Sequence, residues 1–316
     1  MKKFLCLLCL VLVSVFYGHS QQIVFTPQWT PQSQFAGYYA ALENGFYAEQ
    51  GLDVVIKHPT LSYGSVSMLK DGTSDFITCE LCQAMTASNE NLNMVNILQT
   101  TQHSTLLVIT REKNITKLTD LAGRRIGTWK VGFSEILQMI VAEQHLGVEW
   151  TYLNSPINLF ITGAIDATLA KSYNELISFY MSGITPGSLL YLADVGYDFP
   201  EDGLYVKESY FKRYPERCRK FAEASRKGWE WVRNHPDEAF EIVMKYIRQE
   251  NLPANRYAQK WMIGAVLKAQ EDSPGSAPSF TLKEEAFNRM NEALMSCGCL
   301  SKPLNYKRFT GGVYEK

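Results

Sequence analysis

Short apolar strands alternate with helices along the first two-thirds of the chain. A buried strand is predicted at residues 23–25, a helix at about residues 34–43, and the next strand at residues 52–56. Gly45 and Gly51 end the helical turns between them, because glycine tolerates the left-handed backbone that closes a helix. This alternation is typical of parallel βαβ units, so we predict an α/β chain.

A Gly-x-x-Asp turn occurs twice, each time where a strand is about to begin. The first copy, DGTSDFIT, contains Gly72 and Asp75, and the second, ITGAIDATLA, contains Gly163 and Asp166. Glycine permits a positive φ at such a turn, and aspartate can bond to its own neighbouring backbone. Strand, helix and strand precede the second copy as they do the first. We therefore predict two similar α/β lobes.

The chain becomes helical from about residue 210. Apolar residues recur at helical spacing in YPERCRKFAEASRKGWEWVRNH, where Pro215 marks a helix start. Further helices are predicted in PDEAFEIVMKYI, RYAQKWMIGAVLKAQ and LKEEAFNRMNEALMS. Residues on such stripes, including Trp261 and Met262, are predicted to belong to the core and not to a site.

The first 20 residues are predicted to be a signal peptide. Lys2 and Lys3 precede an apolar run that is too short to span a bilayer, and small residues then precede Gln21. Cys9 follows two leucines, which leaves a lipoprotein signal as an alternative. However, the apolar run continues past Cys9, so a soluble exported protein with cleavage before Gln21 is favoured. The predicted location is the periplasm.

Size and charge narrow the classes of function. After cleavage 296 of the 316 residues remain, which suits two domains, and the loss of two lysines lowers the formal charge from −1 to −3. Charges of both signs are spread along the chain, without the basic stripe of a nucleic-acid-binding protein. No later apolar run approaches the roughly 20 residues of a membrane helix. The predicted partners are therefore a small molecule or a protein, with no nucleic acid and no membrane insertion.

The five cysteines that remain after cleavage do not form an obvious framework. Their odd number leaves at least one free thiol or one intermolecular bond. The spacing of Cys79 and Cys82 suits a zinc pair or a redox dithiol, but Cys297 and Cys299 are too close together for the usual second zinc pair. Inert or disulfide-bonded cysteines are favoured over a metal site. We predict no metal and no cofactor.

Familiar catalytic motifs are missing from the sequence. It contains no Gly-x-Ser-x-Gly elbow and no glycine-rich phosphate loop of the Walker or Rossmann type. The stretch GTWKVGFSE places two glycines and a lysine before a helix whose N-terminus could bind an anion. A plain strand-to-helix turn explains it equally well. We predict no catalytic residue, and hence a protein that is not an enzyme.

Aromatic, amide and carboxylate side chains follow four of the predicted strands. Open α/β sheets bind ligands beyond the carboxyl ends of their strands, so residues at these positions are expected to meet in one cleft. Aromatic rings there could stack on a flat heterocycle while polar groups bond its edge. The positions are Trp29, Glu80, Trp129 and Tyr173-Asn174-Glu175.

Several stretches resemble one family of binding proteins. Residues 29–41 read WTPQSQFAGYYAA, and the match continues through GFY at 45–47 and GLDV at 51–54. Further matches follow at LAGRRIG, which many related binding proteins share, and at YNE and EDGLY. On these residues the chain resembles the thiamine-pyrimidine-precursor family of periplasmic substrate-binding proteins. That family includes formylaminopyrimidine-binding proteins and the fungal hydroxymethylpyrimidine phosphate synthases.

The resemblance implies a type II periplasmic-binding-protein fold, with two α/β lobes and a cleft between them. Residues 23–109 and 199–316 would form lobe one with the C-terminal helices, and residues 110–198 lobe two. In relatives the pyrimidine lies among aromatic rings and a carboxylate, a role implied here for Glu175. Together with the strand-end positions, this gives the predicted ligand-binding residues Trp29, Tyr38, Ser65, Glu80, Trp129, Phe133, Tyr173, Asn174 and Glu175.

The expected function is capture of a thiamine-precursor-like heterocycle for an ABC importer, with its permease as partner. One alternative is a sensor that presents ligand to a membrane receptor, and another is a pyrimidine-synthase-like enzyme. The synthases carry a cysteine-rich iron motif, whereas residues 182–192 contain no cysteine. This departure disfavours synthase activity.

Overall fold

The structure is a computed structural model that describes residues 22–60, 62–129, 134–153 and 157–314. The predicted signal peptide and Phe133 lie outside these ranges. The strands within them are β1 (Ile23–Thr26), β2 (Val54–Ile56), β3 (Phe76–Glu80), β4 (Met94–Gln99), β5 (Leu106–Thr110), β6 (Arg125–Trp129), β7 (Glu149–Leu153), β8 (Ala167–Lys171), β9 (Ser188–Tyr191) and β10 (Asp202–Lys207).

Helices cover both sheets. They are α1 (Ala36–Glu43), α2 (Phe46–Glu49), α3 (Ser65–Asp71), α4 (Leu81–Thr86), α5 (Ser134–Glu143), α6 (Ile157–Ile161), α7 (Glu175–Met181), α8 (Glu208–Arg213), α9 (Pro215–Asn234), α10 (Pro236–Gln249), α11 (Arg256–Ala269), α12 (Glu284–Ser296) and α13 (Tyr306–Thr310). Short 3₁₀ turns lie at Ser33–Phe35, Ala87–Glu90, Leu118–Leu121 and Ala193–Val195.

Two five-stranded sheets share one arrangement. Their strand orders are β2-β1-β3-β10-β4 and β7-β6-β8-β5-β9. In each sheet the first three strands are parallel and the fourth is antiparallel to both of its neighbours. That antiparallel strand is supplied by the segment that has just crossed from the other sheet. The predicted two-lobed α/β fold is therefore confirmed.

The first crossing comes earlier than the sequence suggested. Strand β5 pairs with β8 and β9 along its whole length, so it belongs to the second sheet and not to lobe one. The prediction that placed residues up to 109 in lobe one is wrong in this detail. An apolar strand carries no signal of which sheet it joins, because both sheets bury such strands.

The repeated Gly-x-x-Asp turn has the same geometry in both lobes. Gly72 and Gly163 have φ of 87° and 74°. The carboxylate of Asp75 accepts the backbone N–H of Val24 at 2.9 Å, and that of Asp166 accepts the N–H of Arg125 at 3.0 Å. Each aspartate thus bonds to the start of the adjacent parallel strand, and not to its own neighbouring backbone as predicted. The turn joins two strands of each lobe.

The C-terminal helices complete the core of lobe one. Trp229 on α9 is 2% exposed and packs beside α1. Met262 is also buried, but Trp261 is 56% exposed, so its assignment to the core was wrong. Helix α11 buries the face that carries Met262, Ile263 and Val266, and Trp261 lies off that face.

The cysteines in the described part of the chain are free. Cys79, Cys82 and Cys218 are buried, whereas Cys297 and Cys299 are partly exposed. Burial raises the pKa of the Cys79 and Cys82 thiols well above the usual range, which disfavours the reactive thiolate. Among the described residues no cluster of histidine, cysteine and acidic side chains is arranged to hold a metal ion. A search of the same residues finds no helix long and apolar enough to cross a bilayer.

Candidate ligand-binding cleft

A cavity of about 280 Å³ lies between the two sheets, at the carboxyl ends of β1, β3, β6 and β8. Residues from both lobes form its wall. Of the predicted site residues, those lining it are Trp29, Ser65, Glu80, Trp129, Tyr173, Asn174 and Glu175. Lining residues that sequence reasoning did not identify are Gln28, Gln32, Gln34, Thr60, Ser62, Gly64, Val66, Ser67, Gln83 and Lys171.

Two indole rings from opposite lobes make an edge-to-face contact. Trp29 follows β1 and Trp129 ends β6, and their ring centroids are 5.7 Å apart with an interplanar angle of 77°. The backbone of Trp29 is fixed by His58, whose Nδ1–H donates to the Trp29 carbonyl at 2.7 Å. Nε2 of His58 accepts from the Tyr39 hydroxyl at 3.0 Å. Burial lowers the pKa of His58, in keeping with this neutral tautomer. His58 thus has a structural role that the sequence did not reveal.

Tyr38 lies outside the cavity wall. Its ring is 1% exposed and packs against Phe25 and Trp229, with centroid distances of 4.8 and 5.7 Å. The predicted ligand contact for Tyr38 therefore has no support from its position. Helix α1 packs closely on α9. A helical side chain points to one side of its helix, and Tyr38 points into this packed side and not into the cavity.

The carboxylate of Glu175 is buried at the second-lobe wall. It accepts the backbone N–H of Lys171 at 2.8 Å, and Trp129 also hydrogen-bonds to it. Burial raises the pKa of Glu175, and the bond from the Lys171 backbone opposes that rise. Asn174, which precedes helix α7, directs its amide towards the same carboxylate at 3.4 Å. The neighbouring Tyr173 is 2% exposed.

Ser65 has a bond within its own lobe. Its hydroxyl donates to the Thr78 carbonyl at 3.0 Å, at the point where α3 begins. The side chain therefore fixes α3 against β3 at the cavity rim. Phe133 lies outside the described residues, so its predicted role stays a prediction.

Charged side chains lie at the base of the cavity. Nζ of Lys171 is 3.0 Å from Oε1 of Glu80 and 2.7 Å from Oε2 of Glu201, and all three side chains are buried. Burial alone lowers the pKa of Lys171, but the carboxylates of Glu201 and Glu80 outweigh burial and raise it, so the amine stays charged.

Two amides, one just before and one within the motif at residues 29–41, orient a further carboxylate. Nε2 of Gln28 donates to Asp202 at 2.8 Å, and Nε2 of Gln34 donates to the same carboxylate at 2.6 Å. Gln34 lies in WTPQSQFAGYY and Asp202 in EDGLY, the stretches with the family resemblance, so that resemblance could have revealed these two residues, whereas Gln28 lies just before the first stretch. Among the described lining residues there is no histidine and no cysteine. The arrangement can stack a flat ring and bond its edge.

Comparison with known sequences shows what this chain is similar to. The sequence profile of the family described as NMT1/THI5 like matches residues 32–239. A formylaminopyrimidine-binding protein of Halalkalibacterium halodurans is 24% identical over 78% of this chain and 77% of its own length. The riboflavin-binding protein RibY of Chloroflexus aurantiacus is 23% identical over 93% of this chain and 88% of its own length. A 4-amino-5-hydroxymethyl-2-methylpyrimidine phosphate synthase of Saccharomyces cerevisiae is 23% identical over 73% of each.

A solved structure has the same fold. The periplasmic aliphatic sulphonate binding protein SsuA from Escherichia coli superposes with a TM-score of 0.68, covering 94% of this chain and 100% of that chain. Its sequence identity is 13%, so this likeness concerns the fold alone. It agrees with the two-lobed arrangement described above.

Proposed function

The chain belongs to the NMT1/THI5-like family, and we propose that it is an exported solute-binding protein that captures a thiamine-precursor pyrimidine for an ABC importer. In this proposal the signal peptide is cleaved before Gln21 and the protein works in the periplasm. Its partners are the ligand and the importer's permease.

One observation carries the proposal: indole rings from both lobes and a buried carboxylate line the same small cavity. Trp29 and Trp129 would bind the faces or edges of a flat ring, since aromatic pairs favour offset and edge-to-face contacts. Glu175 would accept hydrogen bonds from the ring's amino edge, and bonds to an ionised acceptor are the stronger ones. A ligand held from both lobes favours the closed arrangement.

The size of the cavity suits a small heterocycle. Its volume of about 280 Å³ lies at the lower end of the range of about 300–1,000 Å³ for small-molecule pockets. Because one relative is named for binding riboflavin, the ligand test includes riboflavin beside the pyrimidines.

A carrier is favoured over an enzyme by the chemistry of the wall. The described lining residues offer carboxylates, amides, hydroxyls and one amine, but no thiol or imidazole. Among these described residues the amine belongs to Lys171, which is within ion-pair distance of two carboxylates. Because some relatives are named as synthases, the proposal requires that any bound pyrimidine is released unchanged.

Thermal unfolding of residues 21–316 against a ligand panel tests the proposal. The panel contains aminopyrimidines, thiamine, riboflavin, aliphatic sulfonates and amino acids. A ligand at one hundred times its dissociation constant adds about 2.7 kcal/mol and raises the midpoint by several degrees. We expect a shift with aminopyrimidines and recovery of the unaltered ligand by mass spectrometry. A shift confined to another class would overturn the pyrimidine assignment, and turnover would overturn the carrier role.

A further inference from the structure

We infer that Lys171 is a positioning residue that clamps the two lobes together beneath the ligand and so slows ligand release. The inference rests on the proposed solute-binding function. In the proposed function, Lys171 neither stacks on the ligand nor bonds to the ligand's amino edge.

The ion pairs of Lys171 connect different sheets. Lys171 is the last residue of β8 in the second sheet, and Glu80 is the last residue of β3 in the first. Their 3.0 Å contact therefore spans the cleft between the lobes. Separation of the lobes would break it.

The second partner of Lys171 lies where the chain crosses between the lobes. Glu201 immediately precedes β10, in the second crossing, and its carboxylate also binds the first crossing. It accepts the backbone N–H of Thr105 at 2.8 Å, the Thr105 hydroxyl at 2.6 Å and the Ser104 hydroxyl at 2.9 Å. Lys171 therefore connects the base of the cavity to both crossing segments.

The ion pairs of Lys171 are energetically important because they are buried. The side chains of Lys171, Glu80 and Glu201 are 4%, 6% and 5% exposed, respectively. Surface ion pairs contribute little because water competes for both charges. When one partner of a buried pair is removed, the other is left as an uncompensated charge in a dry environment. In an open cleft the same groups would meet water, so loss of Lys171 penalises the closed arrangement more than the open one.

The expected consequence is kinetic. Ligand leaves after the cleft reopens, so the apparent dissociation constant rises as the closed fraction of the liganded protein falls. Because the clamp exists only after closure, its loss should increase the dissociation rate constant and leave the association rate constant nearly unchanged. A general loss of folded protein would instead lower the active fraction without altering the dissociation rate of the remainder.

The test is stopped-flow binding of 4-amino-5-hydroxymethyl-2-methylpyrimidine to the chain and its variants. Lys171→Met should raise the dissociation rate constant about tenfold, the effect of a closed-to-open ratio reduced to a tenth. Lys171→Arg keeps the charge and should restore most of the loss. The control Lys245→Met removes a similar 2.7 Å ion pair, with Glu43, that lies on the surface of lobe one. An unchanged rate in folded Lys171→Met, or an equal rise in the control, would overturn the clamp.

Glu201→Gln separates the clamp from direct ligand contact. Glu201 is not among the described residues that line the cavity, so a faster dissociation in this variant must arise through its partners. The Glu201→Gln variant also tests the clamp if Lys171→Met does not fold. A Glu201→Gln variant with the dissociation rate of the unaltered chain would overturn the inference.

Small-angle X-ray scattering keeps the two proposals distinguishable. If the probe does not bind the unaltered chain, the proposed ligand fails, and the ligand-free proteins are compared directly. The clamp requires a larger radius of gyration for Lys171→Met than for the unaltered chain and Lys245→Met. Identical scattering curves would exclude it.

Discussion

The two lobes have the same strand order but unequal cores. In lobe one, α1, α9 and α10 cover the sheet with large buried side chains such as Phe221, Trp229 and Phe240. The separate apolar cluster of lobe two is small and centres on Phe160 and Phe179. The other face of the second sheet shares one cluster with helices of lobe one. Regions with fewer buried contacts open at lower free-energy cost, so lobe one acts as the base and lobe two as the weaker partner.

The largest effect is expected where α1 meets α9. A Cβ atom on Gly228 would lie 2.0 Å from the Gly37 carbonyl oxygen, which is backbone and cannot rotate away. Gly228→Ala should therefore force the helices apart and lower the free energy of unfolding by about 3 kcal/mol. Urea unfolding followed by circular dichroism measures this change.

A matched control is available on α11. A Cβ on Gly264 would have no neighbour within 4 Å, so Gly264→Ala should be neutral or raise stability by up to about 1 kcal/mol. Equal urea midpoints for the two variants would mean that the close approach of Gly228 to Gly37 does not limit the packing of the lobe-one core.

The sequence predicted the repeated units well, because they depend on local chemistry. Alternating strands and helices and the turns at Gly72 and Gly163 follow from propensity and from positive φ. The bonding of Asp75 and Asp166 to a neighbouring strand could not be predicted in the same way. It depends on which strands pair, and that is fixed by the whole sheet. Strand β5 was misplaced for the same reason.

The cavity was predictable only in part. Trp29, Glu80 and Trp129 could be grouped because strand ends of parallel sheets meet at one edge. Gln28 and Lys171 could not, because their contacts with Asp202 and Glu201 join segments distant in sequence. Side chains on helices were harder still. Tyr38 and Trp261 lie in apolar stretches where periodicity alone did not decide which residue faces the core.

The second prediction compares the lobes at the cavity. Trp29→Ala and Trp129→Ala each remove one indole, and aromatic stacking on a nucleobase-like ring is worth about 1–3 kcal/mol. Each variant should weaken pyrimidine binding roughly 10- to 100-fold by isothermal titration calorimetry. Because the two rings touch, the double variant should lose less than the product of the single losses.

Trp261→Ala is the control for this comparison. Trp261 is 56% exposed on α11, so its replacement should leave the affinity for the pyrimidine unchanged. Normal binding by Trp29→Ala would remove lobe one from the aromatic wall, and normal binding by Trp129→Ala would remove lobe two. Either result would contradict the proposal that each lobe supplies one aromatic ring to the binding of the ligand.

The smallest effect is expected at Asp166, in the Gly-x-x-Asp turn of lobe two. There the aspartate is also paired with a charged side chain, that of Arg125. Arg125 donates from Nε to Asp166 at 3.0 Å and from Nη2 at 2.6 Å. These bonds lower the pKa of Asp166 below its usual value. A lowered pKa stabilises the folded state above the ordinary aspartate pKa of about 3.9, and that stability is lost as the pH falls through the folded-state value.

Asp166→Asn should therefore destabilise the chain at pH 7, by about 1 kcal/mol or less for a partly exposed pair, and the difference should shrink as the pH falls below about 4. Thermal melts between pH 3 and pH 7 measure this dependence. Asp194→Asn, at an exposed aspartate of the same lobe, is the control for the loss of one carboxylate. A constant difference across the pH range would mean that Asp166 acts through its hydrogen-bond geometry alone. The added charge in lobe two would then contribute nothing to offset its smaller core.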